Sequence, residues 1–245
     1  MSCYGSLAAW YDELTGDIPY TSFADCYENE FSKHTGEFKL LLDLFCGTGT
    51  LTNIMAHRGY EIIAVDASED MLMQAREKFS DAAHAPLFLC QKASGLDLYG
   101  TVDAAYSSLD GINYIPPEEL PELFHRLFYF IRPSGLFIFD IRSPEWIESM
   151  DGQTYVDEQD NVLCLWRSEV NYEEKCIYYD MDIFSKKGNL WERAEEEHTE
   201  YIYSFEYLKK ILISEGFCNI KIIRDGPQHE LGRISISAER LPPNS

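Results

Sequence analysis

The chain has 245 residues and a formal net charge of −22, from 42 acidic against 20 basic side chains. Such a surface repels phosphate backbones, and the densest short basic cluster is only Lys186-Lys187, so nucleic acid is a poor candidate partner. Solubility is the plain reading of this acidity, and attraction of a neutral or cationic small substrate is the sharper one.

With 45% hydrophobic residues the chain can bury the core of one α/β domain carrying an insertion. No stretch approaches about 18 uninterrupted apolar residues, and Met1-Ser2-Cys3-Tyr4 lacks a basic segment followed by an apolar one. A cytoplasmic protein without membrane association is expected. The seven cysteines are scattered with no Cys-x-x-Cys pair, which fits reduced thiols and not a zinc site.

The first 36 residues read as helical and aromatic, with Leu7, Trp10, Tyr11 and Leu14 at helical spacing. Leu40-Leu41-Leu42-Asp43-Leu44 is then a buried strand that runs into Phe45-Cys46-Gly47-Thr48-Gly49 and the apolar spacing of a helix over about 49–58. Glycines there let the backbone approach a ligand, and free amides at the helix start favour an electron-rich group. A second apolar run, Ile62-Ile63-Ala64-Val65, ends in Asp66, 17 residues after Gly49. An acidic residue at that strand tip can accept both hydroxyls of a ribose, so the two strands read as a nucleoside-binding βαβ unit. The third position of a dinucleotide fingerprint holds Thr52 and not a small residue.

Ser68 is placed to cap the next helix. Strands follow at about 86–91 and 102–107, then a helix from Pro116-Pro117 to Ile131, a turn at Arg132-Pro133-Ser134-Gly135 and a strand over Leu136–Ile141. Alternating strands and helices specify a parallel sheet covered on both faces. From about 152 to 203 the pattern changes to period two and turns at Gly188-Asn189, which predicts an inserted antiparallel sheet. A helix (about 204–215) and two strands (about 217–224 and 232–239) resume the first pattern.

Strand one with Asp43, the Gly47-x-Gly49 loop and Val65-Asp66-Ala67-Ser68 resemble the cofactor motifs of the class I S-adenosylmethionine-dependent methyltransferases. Phe45 departs from that pattern, standing where the motif most often has its first glycine. The resemblance implies a Rossmann-like, seven-stranded, mostly parallel sheet with helices on both faces and the last strand antiparallel. It implies a cap over 1–36, a cofactor domain over 37–141 and 204–245, and a β-rich lid over 142–203 that is separable from the cofactor site. S-adenosyl-L-methionine would be the cofactor. Gly47 and Gly49 would pass its methionine part, Asp66 would hold the ribose, and Ala67 and Met71 would flank the adenine. Relatives place an adenine-binding aspartate where Lys92 stands; a lysine cannot accept a hydrogen bond, so adenine recognition falls to Gln91, the Ala93 backbone or a neighbour.

Other expected cofactor contacts are Asp43, Thr48 and Ser107, with Tyr11 and Tyr20 from a Tyr-Asp cap helix that also includes Tyr4. In an open α/β sheet ligands lie off the carboxyl ends of the strands, which directs the methyl acceptor to the loop Ser107–Asn113. Asp110 would orient an amine or take its proton, and Asn113 would fix the acceptor's polar end. Glu195-Glu196-Glu197-His198-Thr199-Glu200 reads as a solvated charged strand; the alternative is that His198 or a glutamate points from the lid into the cavity. No metal is expected, because His198 lacks a second ligand cluster. The implied reaction is methyl transfer to nitrogen or oxygen of a small molecule, with protein or tRNA methylation and a catalytically silent binding protein as alternatives. A homodimer is compatible with the chain.

Overall fold

In the computed structural model, residues 5–80 and 85–242 are described; Tyr4 and Cys3 lie outside them. Two short helices open the chain, α1 (Tyr11–Leu14) and α2 (Tyr20–Phe31). Then come β1 (Leu40–Leu44), α3 (Thr50–His57), β2 (Glu61–Asp66), α4 (Glu69–Glu77), β3 (Leu87–Cys90) and β4 (Val102–Ser107). A 3-10 turn over Gly111–Tyr114 leads to α5 (Leu120–Phe130), β5 (Ile131–Arg142) and α6 (Pro144–Ser149). Four strands follow: β6 (Thr154–Glu158), β7 (Val162–Asn171), β8 (Cys176–Lys187) and β9 (Leu190–Tyr201). The chain ends in α7 (Phe205–Ser214), β10 (Phe217–Ile222) and β11 (Arg233–Arg240).

Among the described residues these strands make two sheets. The first has the order β10-β11-β5-β4-β1-β2-β3, with β11 antiparallel to both of its neighbours and the rest parallel. Successive side chains of β1 face opposite ways, and burial on both sides explains its unbroken apolar run. Leu42 and Leu44 join the core beneath α5 and α7, whereas Leu41 joins that beneath α2 and α3. Arg132–Gly135 is not a separate turn, because β5 starts at Ile131 and absorbs those residues as an irregularity in its pairing with β4. Ser134 takes a positive φ there, and an added Cβ on Gly135 would meet the Asp103 carbonyl at 2.5 Å.

The second sheet is antiparallel, β6-β7-β8-β9. Its inward row pairs Trp166 with Met181 and Met181 with Glu196; Tyr179 pairs with His198, and Ile177 with Glu200. Leu7 and Leu14 pack on this sheet, against Val162, Cys164, Met181 and Ile183. The N-terminal segment is therefore shared: α1 serves the second sheet and α2 the first. The six described cysteines are free thiols, and no described helix is long and apolar enough to cross a membrane.

Candidate active site

Two cavities of about 530 and 520 Å³ adjoin at the carboxyl ends of β1, β2 and β4. Tyr11, Leu109 and Tyr114 line both and so form the partition between them.

The first cavity is built by the β1–α3 loop. Gly47 has φ +53° and open space where a Cβ would stand, so a ligand can reach the backbone there. Asp66 organises this loop: its Oδ2 accepts the Gly47 N–H and its Oδ1 the Ser68 N–H, both at 2.8 Å. Burial raises its pKa, and those amides oppose the rise. Each oxygen keeps a lone pair for another donor. Asp43 also lines this cavity but is buried, and its Oδ2 accepts the Thr52 and Tyr106 hydroxyls. Burial pushes its carboxyl up to about 7, against the lowering effect of those hydroxyls. Thr52 thus has a polar role at the position where a dinucleotide fold needs a small residue.

Above the loop, Asp12 accepts the Thr48 hydroxyl at 2.6 Å and that of Thr50 at 3.1 Å, and pairs with Lys78 at 2.6 Å. This pins α1 to the loop and brings Tyr11 and Tyr20 into the wall. Thr48, Ala67, Met71, Lys92 and Ala93 complete much of the lining. Ser68 caps α4 by accepting the Met71 N–H.

Three expected cofactor contacts stand apart from this wall. Gln91 spends its amide on the Asp97 backbone, closing the loop after β3. Ser107 is fully buried beneath the turn, where its oxygen would lie 2.9 Å from a Cβ at Gly111; Ser108 reaches the cavity instead. Gly49 faces Ala75 of α4, a Cβ there coming within 3.1 Å, so it serves helix packing. Phe45, the departure from the motif, adopts φ 61° and lays its ring against Gly111.

The second cavity lies between the strand ends of the first sheet and the inward face of the second. Asp110 and His198 both line it. Asp110 is committed to ion pairs: Arg233 contacts both it and Asp140, and the Arg142 Nε lies 3.8 Å away. Burial would raise the Asp110 pKa, but Arg233 and Arg142 hold it below the ordinary carboxylate value, which makes it a poor proton acceptor. Asn113 is corrected outright. It is fully buried, donating to the Tyr201 carbonyl at 2.8 Å and accepting the Arg142 N–H at 3.1 Å, so both ends of its amide fasten backbone.

Strand β9 alternates, which corrects the reading of its acidic run as a solvated strand. Glu195 and Glu197 are exposed, while His198 and Glu200 are buried toward the cavity. Glu196 accepts the N–H groups of Ser6 and Leu7, at 2.5 and 2.9 Å, and approaches the His198 ring nitrogen at 3.3 Å. Tyr114 sets its ring edge-on to His198. Arg142 and Arg233 are cavity residues that sequence reasoning missed, and Glu200 was reached only as an unspecified glutamate of its run. The strict period of two around His198 was the available signal for Glu200, whereas nothing local marks the two arginines.

A family model described as a methyltransferase domain matches residues 41–135. The Bacillus subtilis protein YqeM, whose name places it provisionally among methyltransferases, is 30% identical over 243 residues, covering 97% of this chain and 94% of that one. A crystal structure of an S-adenosylmethionine-dependent methyltransferase from Clostridium acetobutylicum superimposes with a TM-score of 0.82 at 25% identity, covering 98% of this chain and all of the other. The chain belongs to the S-adenosylmethionine-dependent methyltransferases. Its sheet order and its separate antiparallel sheet are those of the class I fold.

The sugar N-methyltransferase KedS8 of a Streptoalloteichus species shares the fold, with a TM-score of 0.78 at 16% identity and coverage of 93% and 90%. S-adenosylmethionine is the cofactor of this methyltransferase. The first cavity fits such a nucleoside, since it lies within the usual ligand-pocket range of roughly 300–1,000 Å³ and combines an open glycine backbone with a carboxylate that has lone pairs to spare.

Proposed function

We propose that this enzyme methylates a nitrogen or oxygen of a small molecule held in the second cavity, with the antiparallel sheet over 142–203 as its lid and 1–36 as a cap. The observation that carries this reading is the pair of adjoining cavities sharing Tyr11, Leu109 and Tyr114 as a common wall. Methyl transfer needs donor and acceptor in contact, with water kept out. A volume of about 520 Å³ suits a small molecule and not a folded macromolecule. Among fold neighbours, KedS8 acts on a sugar nitrogen, and the acidic wall here leans the same way.

In the first cavity Asp66 accepts the ribose hydroxyls, and Gly47 admits the methionine part to the backbone. Ala67, Met71 and Ala93 flank the adenine. Tyr11 is placed to donate its phenol hydroxyl to the carboxylate. Tyr20, whose hydroxyl donates to Thr15 Oγ1 at 3.3 Å, shapes the wall, and Asp43 and Thr48 hold the loop in shape. Bound S-adenosylmethionine supplies an electrophilic methyl on a sulfonium. What the chain contributes is alignment, exclusion of bulk water and a fixed loop.

Calorimetry with S-adenosylhomocysteine, and mass spectrometry of methylated products from a panel of small amines and alcohols, tests this reading. S-adenosylhomocysteine should bind while NADH does not, and a small molecule should gain one methyl group. Methylation of only a protein or tRNA from the same extract would overturn it.

A further inference from the structure

Glu200 is the buried acid of the second cavity that the roles above leave unused. It lies on β9 opposite Ile177, is 5% exposed and lines the cavity. The Tyr114 hydroxyl bonds its carboxyl group, but Oε2 has no hydrogen-bond partner among the described residues. A buried polar oxygen left in this way is costly unless something fills the site. Its surroundings favour a cation. Asp17, Asp110, Asp157 and Glu200 face the cavity against Arg142 and Arg233. Both arginines are engaged, Arg233 between Asp110 and Asp140, and Arg142 over the Trp146 ring and on the Leu231 carbonyl. Tyr11, Tyr114, Trp166 and Tyr179 also line the cavity, and aromatic rings are groups that attract organic cations.

We propose that Glu200 is the cation-binding and proton-accepting group of this cavity, its open Oε2 receiving the ammonium group of an amine acceptor. The inference rests on the reading of this cavity as the acceptor site. The ammonium hands one proton to Oε2; the N–H bond breaks, an O–H bond forms, and the electron pair stays on nitrogen as the nucleophile. Burial and the nearby Asp110 charge push the Glu200 carboxyl up to about 8, against the lowering effect of Arg142, Arg233 and the Tyr114 bond. A base poised there can take a proton from an ammonium and release it near neutrality. Asp110, held low, cannot, so two carboxylates in one cavity are driven to opposite roles.

Benzylammonium and benzyl alcohol, similar in size and differing in charge, are the probes. Their binding is measured by calorimetry on the full chain saturated with S-adenosylhomocysteine. At about pH 8.5, below the titration of an ordinary aliphatic amine, the wild type should prefer the ammonium by roughly tenfold or more. Glu200→Gln should bring that preference below about threefold while S-adenosylhomocysteine affinity stays unchanged. His198, Tyr179, Asp110 and both arginines are present in both proteins, so the difference belongs to position 200. Should that variant not fold, Glu200→Ala takes its place and should lose the preference in the same way. An unchanged preference in the folded variant, or none in the wild type, overturns the proposal. A Glu200-dependent preference without methylation of any amine would instead remove the acceptor reading and leave the cation site standing.

Discussion

Asp43 and Asp66 end neighbouring strands and look equivalent in the sequence, yet the structure gives them different chemistry. Asp66 is bonded by two backbone amides and keeps lone pairs toward the cavity. Asp66→Ala should weaken S-adenosylhomocysteine binding by ~30-fold or more, the equivalent of two lost charge-assisted bonds at about 1–2 kcal/mol each. Calorimetry on folded protein reads this, and an unchanged affinity would place the ribose elsewhere.

Asp43 carries its own pH signature, because its folded pKa is raised from 3.8 to about 7. Unfolded, this carboxyl releases its proton at the ordinary value; folded, it holds it until near neutrality. Its contribution therefore falls as pH rises between those two values. Without cofactor, the stability of the wild type relative to Asp43→Asn should drop across that window, with a slope of up to about 1.4 kcal/mol per pH unit. Denaturant titrations at several pH values measure it, and a flat difference would mean that Asp43 is ionised in the fold.

At the scale of elements, Asn113 ties the 3-10 turn after β4 to the end of β9 through Tyr201 and to the end of β5 through Arg142. The two sheets meet at this amide. Asn113→Ala leaves a carbonyl and an N–H without their partner in a buried region, which should cost about 1–3 kcal/mol of unfolding free energy. Denaturation reads the loss. A variant as stable as the wild type would show that water replaces the amide. The alternation of β9 is the complementary element-level feature: one strand presents Glu195 and Glu197 to solvent while His198 and Glu200 face the cavity.

At the scale of the whole molecule, the insertion and the cofactor site are not independent. The sequence led us to expect that 142–203 could be removed without loss of cofactor affinity. Leu7 and Leu14 bury themselves against the inserted sheet, and Glu196 of that sheet accepts two N–H groups from the same N-terminal segment. That segment leads into Tyr11 and Asp12, which line or pin the first cavity. Replacing 142–203 with a short linker should therefore weaken S-adenosylhomocysteine binding by roughly tenfold or more, since α1 loses most of its packing. Full affinity in a folded truncation would show that Asp12 alone holds α1 in place.

The class of fold was legible because it rests on local periodicity. Short apolar runs such as Leu40–Leu42, closed by a glycine loop, read as strands buried on both faces, and period two over 176–187 reads as a sheet with one face covered. The Gly47 loop and Asp66 were legible for a related reason: neighbouring parallel strands bring them together through one short βαβ unit. What only the tertiary structure decided is the partnership of residues far apart in the chain. Arg233 comes from the last strand to claim Asp110 across 123 positions, and Asn113 reaches Tyr201 across 88. Those pairings occupy Asp110 and Asn113, while Glu200 Oε2 stays without a hydrogen-bond partner among the described residues. Hydrophobic spacing is written residue by residue along the chain. The ionisation of a buried carboxyl depends on which charges the fold brings within a few ångströms, and no local pattern encodes that.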